Sequence, residues 1–104
     1  MKFLRRFFGK DREVEKIEIV SRRPVAKFKV EQILNVLGKE TLIGTVEGII
    51  YPGYKIKGKN TALVRRIEKD RKTVDFAVDG DRVALVLEGK TNAKKGDLLE
   101  VYQS

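Results

Sequence analysis

The chain has 104 residues and a net charge of +8, with 41% hydrophobic and 37% charged side chains, and it contains neither Cys nor His. That length holds one domain with a modest core, and the two missing residue types exclude disulfides, thiolate nucleophiles, the usual zinc sites and imidazole general bases, so no cofactor and no enzyme activity are expected. No stretch approaches the ~20 apolar residues of a membrane span and the charged N-terminus is no signal peptide, so a cytoplasmic protein is expected, with a membrane partner disfavoured.

Residues 1–10 place Phe3, Leu4, Phe7 and Phe8 at the spacing of one helical face, with Lys2, Arg5 and Arg6 elsewhere around the turn and Gly9 to end it. The segment reads as a basic amphipathic anchor for RNA, a membrane surface or a protein groove, or else as aromatics packed on the domain. Phe3, Arg5, Arg6 and Phe7 are its candidate contacts. Residues 13–20 alternate Val14, Ile17 and Ile19 with charged neighbours as a half-buried edge strand would, and Ser21, Arg22, Arg23 and Pro24 close it with a basic turn. Residues 1–24 thus form a basic arm with eight basic and four acidic side chains, against fifteen and eleven in the rest of the chain. This positive excess favours an anionic partner.

From residue 25 to the end the pattern is all β. Ala26, Phe28 and Val30 share one parity, residues 33–37 form an apolar run, and Gly38, Lys39 and Glu40 make a turn. Residues 41–46 follow as a strand whose Gly44 signals a bulge or a close backbone approach. Tyr51, Pro52 and Gly53 form a tight turn, Lys55 and Lys57 alternate with Ile56, and Gly58, Lys59 and Asn60 turn the chain into a strand over residues 61–68. Residues 67–89 read as a hairpin ladder with Val74, Phe76, Ala77, Val83, Leu85 and Leu87 as core and Asp79, Gly80 and Asp81 as its tight turn. A last strand covers residues 98–102. Short strands at this spacing predict a small closed Greek-key-like β-barrel over residues 25–104, because closure removes edges that would aggregate.

Catalytic motifs are lacking. The stretch from Gly53 to Asn60 approaches a phosphate-binding loop, but Asn60 replaces the hydroxyl residue that would hold magnesium, and its interior alternates like a strand. Asp79 with Asp81, and Asp70 with Asp75, read as turn chemistry. What remains is basic surface: Lys55, Lys57 and Lys59 on one side of a strand, and Arg65, Arg66, Lys69, Arg71, Lys72 and Arg82 around the central stretch, with Tyr51 and Tyr54 able to stack on bases. The high charge and scarce Asn and Gln give a composition like that of heat-adapted proteins.

In order and spacing, several stretches resemble the β-barrel second domain of translational GTPases, the family of elongation factor Tu and its initiation-factor relatives. They are Val30-Glu-Gln-Ile-Leu-Asn-Val-Leu-Gly38, Thr41-Leu-Ile-Gly44-Thr-Val-Glu47-Gly48-Ile-Ile-Tyr-Pro-Gly53, Ile67-Glu68, Gly80-Asp81-Arg82-Val83 to Gly89, and Lys95-Gly96-Asp97-Leu98-Leu99. The resemblance implies a barrel that contacts ribosomal RNA and, in elongation factor Tu, helps to form the pocket for the aminoacylated 3′-terminal adenosine of tRNA. It also implies which positions would matter. Glu31 retains an acidic residue of that pocket, Gln32 replaces an aspartate, Leu42 stands for a valine, Glu68 and Arg71 keep a Glu-x-x-Arg spacing, and Arg82 replaces an asparagine. With 24 residues ahead of the barrel, no GTP binding is expected. The leading expectation is a non-catalytic module binding tRNA or the ribosome; the alternatives are a scaffold subunit of a ribonucleoprotein and a membrane-surface adaptor working through residues 1–10.

Overall fold

A computed structural model describes residues 23–103; the expected N-terminal helix and the strand over residues 13–20 lie outside this range. The described chain forms strands β1 (Ala26–Val36), β2 (Lys39–Gly48), β3 (Lys55–Lys57), β4 (Thr61–Lys69), β5 (Lys72–Val74), β6 (Arg82–Glu88) and β7 (Leu98–Tyr102). No helix among the described residues is long and apolar enough to cross a membrane.

The strands follow one another around a ring in the order β3, β7, β1, β2, β6, β4, and β4 returns to β3. Six strands close the barrel, and every pairing is antiparallel. The non-sequential neighbours β1–β7, β3–β7 and β2–β6 give the Greek-key-like wiring. The short β5 continues the β3 side of β4, pairing with residues 67–69 where β3 pairs with residues 61–63.

The alternation read from the sequence is what fills the interior. Ala26, Phe28 and Val30 of β1 point inward with Leu42 and Val46 of β2, Ile56 of β3, Val64 and Ile67 of β4, Val83, Leu85 and Leu87 of β6, and Leu99 and Val101 of β7. Each fully buried large side chain contributes about 1.5–3 kcal/mol. Gly44 is inward too, opposite Val30. A Cβ there would overlap the Lys29 carbonyl oxygen and come 3.0 Å from the Phe28 ring, so the glycine permits the close approach that its place in the strand suggests.

Three expectations shift. The first turn of the barrel comes one residue early, at Leu37 and Gly38 with φ of 52° and 76°, and leaves Leu37 95% exposed. A bulge between Val30 and Gln32 changes parity within β1, so Ile33 packs on the core while Leu34 and Val36 face out. Of the expected central core, Ala77, Val83, Leu85 and Leu87 are buried and Val74 is half-buried, but Phe76 is exposed. The reason is the bridge between Ile50 and Ala77, which turns Ala77 inward and its neighbour Phe76 outward.

One buried carboxylate has a structural partner. Glu40 Oε1 accepts hydrogen bonds from the Thr91 amide (2.8 Å) and hydroxyl (2.7 Å), and so ties the loop after β6 to β2. Satisfaction of this kind is what makes a buried carboxylate tolerable.

Candidate nucleic-acid interface

The outer wall formed by β1, β2, β6 and β4 carries a groove. Register fixes its rows: Leu34 lies opposite Thr41, Thr41 opposite Val86, and Val86 opposite Arg66. The next row runs from Gln32 through Ile43 and Ala84 to Glu68. The groove, about 490 Å³, has Leu34, Val36, Ile43, Ala84 and Val86 as apolar lining, with Leu37 and Lys39 at the hairpin end and Arg66 and Glu68 along one side. A half-buried antiparallel wall normally turns polar side chains to solvent; this one presents an apolar floor.

Ion pairs frame the floor. Arg66 Nε donates to Glu68 Oε2 at 2.8 Å; two residues apart on β4, both side chains stand on the same face. A bulge at Arg65, between Val64 and Arg66 in the pairing with β6, sends Arg65 to Glu88 at 3.5 Å instead. One row beyond Ile43 and Ala84, Thr45 lies opposite Arg82. Both hold Glu31: the Thr45 hydroxyl donates to Oε2 and Arg82 Nε donates to Oε1, each at 2.7 Å. The Thr45 hydrogen bond, and after it the Arg82 one, holds the Glu31 carboxyl below its ordinary value. At the end of the wall Lys69 Nζ donates to Asp81 Oδ1 at 3.0 Å, and Asp81 Oδ2 accepts the Val78 amide. These contacts lower the Asp81 carboxyl, the Val78 amide most, and the Asp81 hydrogen bond raises Lys69.

The sequence candidates therefore divide. Glu31 and Arg82 form one pair on this wall and Arg66 and Glu68 another, and the second pair lines the groove. Glu68 takes Arg66 as its partner, whereas Arg71 sits at the tip of the β4–β5 turn, where Asp70 and Arg71 have φ of 53° and 66°. Lys55 and Lys57 project from β3, across the ring from β2, with Lys59 in the turn that follows. Leu42, aligned with a pocket position of the resembled family, is fully buried, and the neighbouring Ile43 faces the groove in its place. Phe3, Arg5, Arg6 and Phe7 lie outside the described residues. Sequence reading missed the floor itself. Its signal was present: residues 33–37, 41–43 and 83–87 are apolar at both parities, as strands covered on both faces are.

Among the described residues no group of three or more His, Cys, Asp or Glu could hold a metal ion. The wall offers an apolar surface for a flat ring, a carboxylate to accept hydroxyl hydrogen bonds and a guanidinium to meet phosphate, which is the chemistry of binding a nucleoside end.

The comparisons with known proteins agree with this architecture. The family model for elongation factor Tu domain 4 matches residues 23–100. Among solved structures, GDP-bound aIF5B from Aeropyrum pernix superposes with a TM-score of 0.68 at 20% identity, over 89% of this chain and 17% of that one. A bacterial selenocysteine-specific elongation factor, EF-Sec, gives 0.64 at 25% identity over 86% of this chain and 16% of its own. The chain thus spans about a sixth of the length of these structures. No curated protein matches it in sequence. The expected translation-factor barrel is found, the matching model being that of domain 4, and the chain belongs to the elongation factor Tu domain 4 family.

Proposed function

We propose that this barrel is a non-catalytic RNA-binding module of the translation apparatus, and that the groove on the β1, β2, β6, β4 wall receives the unpaired 3′ end of a tRNA. The observation that carries the reading is the apolar floor of Leu34, Ile43, Ala84 and Val86 set beside Arg66 and Glu68. An unstacked base gains by covering apolar surface, a ribose hydroxyl can donate to Glu68, and the Arg66 guanidinium can fork onto the last phosphate. Membership of a translation-factor domain family supports the class of partner, and the net charge of +8 supplies the attraction to phosphate that is independent of sequence.

The test is equilibrium binding of intact tRNA against the same tRNA lacking its 3′-terminal nucleoside. Intact tRNA is expected to bind about ten-fold more tightly, a difference of about 1.4 kcal/mol. Equal affinities at all salt concentrations would reject the groove as the receiving site.

A further inference from the structure

A second apolar surface lies away from the groove. Ile50 and Ala77 form an antiparallel bridge, each amide donating to the other's carbonyl at 2.9 Å, and both side chains are buried. Alternation then sends the residues on either side outward: Ile49 across from Val78, and Tyr51 across from Phe76. The Tyr51 and Phe76 rings lie 5.5 Å apart, and Tyr54 adds a third ring 5.6 Å from Tyr51. Ile49, Tyr51, Phe76 and Val78 are 47%, 44%, 47% and 38% exposed. Four apolar side chains on the solvent side of a two-stranded ribbon are what an interaction surface looks like.

The segments that supply this quartet run against the rest of the chain in charge, although Asp81 among them already pairs with Lys69. Residues 44–54 and 73–81, which supply it, carry Glu47, Asp75, Asp79 and Asp81 and not one Lys or Arg, in a chain of net charge +8. Asp79 lies close by, its Oδ1 accepting the Gly48 amide at 3.1 Å. Residues 1–10 have the converse composition: Lys2, Arg5, Arg6 and Lys10, no acidic residue, and the apolar Phe3, Leu4, Phe7 and Phe8. The connection is also suitable. Ala26, at the start of β1, pairs with Gly48, the residue before Ile49. The intervening residues 11–25 span up to roughly 50 Å when extended.

We propose that the quartet Ile49, Tyr51, Phe76 and Val78 is the docking site for the chain's own residues 1–10. The aromatic side chains of that segment cover the quartet, and its lysines and arginines meet the carboxylates of Glu47, Asp75 and Asp79. This leaves the groove wall free for a separate ligand, and the proposal stands or falls independently of RNA binding.

The absence of cysteine allows a single nitroxide label on a Gly9→Cys variant of the full chain, read by paramagnetic broadening of amide signals. The amides of Ile49, Tyr51, Phe76 and Val78 are expected to lose most of their intensity while those of Leu34 and Val36 keep theirs. The loss is expected to vanish in a Phe7→Ser/Phe8→Ser variant and in a Tyr51→Ser/Phe76→Ser variant. Tyr51 and Phe76 are exposed, and retained dispersion of the other signals verifies folding in both variants. Broadening at the groove instead, broadening of no barrel amide, or broadening only of an isotope-labelled copy mixed with a spin-labelled one would each overturn the proposal. The last result would assign the surface to a second copy.

Discussion

The two opposite walls of the barrel are built by different rules. On the β3 and β7 wall, side chains alternate: Lys55 and Lys57 face out around a buried Ile56, and Leu98, Glu100 and Tyr102 face outward around buried Leu99 and Val101. Its registers are unbroken. The groove wall departs from that rule three times, with a bulge at Glu31, a bulge at Arg65, and the consecutive buried residues Leu85, Val86 and Leu87 on β6. Alternation is sufficient to close a barrel, so the departures call for another cause. Each re-aims a side chain or leaves apolar surface facing out, as bulges beside binding sites do.

The strongest way to break the contrast is to attack the strand that joins the groove wall to the core. Gly44→Ala forces β2 away from β1 at Lys29 and Phe28 and is expected to cost about 3 kcal/mol of stability in urea unfolding. Less drastic is Leu34→Asp, which puts a charge on the groove floor at an exposed position. It is expected to weaken tRNA binding about ten-fold with the unfolding midpoint almost unchanged, because surface substitutions shift stability by only about 0.5 kcal/mol.

A finer distinction comes from pH. The folded pKa of Glu31 is lowered, first by Thr45 and next by Arg82, so its contacts add stability above the ordinary value near 4.5 and lose it as pH falls through the lowered folded value. Arg82→Ala is expected to raise the Glu31 titration midpoint without restoring it fully, since the Thr45 hydroxyl still donates. Carboxyl-detected NMR titration reads this directly, and an unchanged midpoint would deny Arg82 its role. Smallest of all is the effect expected across the ring: Lys55→Ala with Lys57→Ala should leave tRNA affinity within about two-fold and change the log–log salt slope by less than one.

Much of the barrel was legible because it rests on local alternation. The inward set Ala26, Phe28 and Val30, the close approach at Gly44 and the closing strand over residues 98–102 all follow from period-2 patterning and glycine's missing Cβ. The site was legible only in part, because it depends on register between strands distant in sequence. The Glu-x-x-Arg spacing suggested that Glu68 and Arg71 act together, but three residues along a strand reverse the face, and the left-handed turn at Asp70 and Arg71 carries the arginine away. Arg66, two residues from Glu68, has the right parity. Glu31 reaches Arg82 because β2 lies between their strands and its Thr45 brings the two into line. Phe76 could not be assigned from its neighbours alone, since its direction is set by the distant bridge between Ile50 and Ala77.

On the proposed function, the irregular wall and not the regular one receives RNA. Titrating the isotope-labelled chain with a short single-stranded RNA that ends in a free 3′-ribose, and following its amide and methyl signals, tests that claim directly. Saturable shifts are expected at Leu34, Val36, Ile43, Ala84 and Val86, with the Lys55 and Lys57 signals unmoved. Shifts centred on Lys55 and Lys57, or none that saturate, would contradict it.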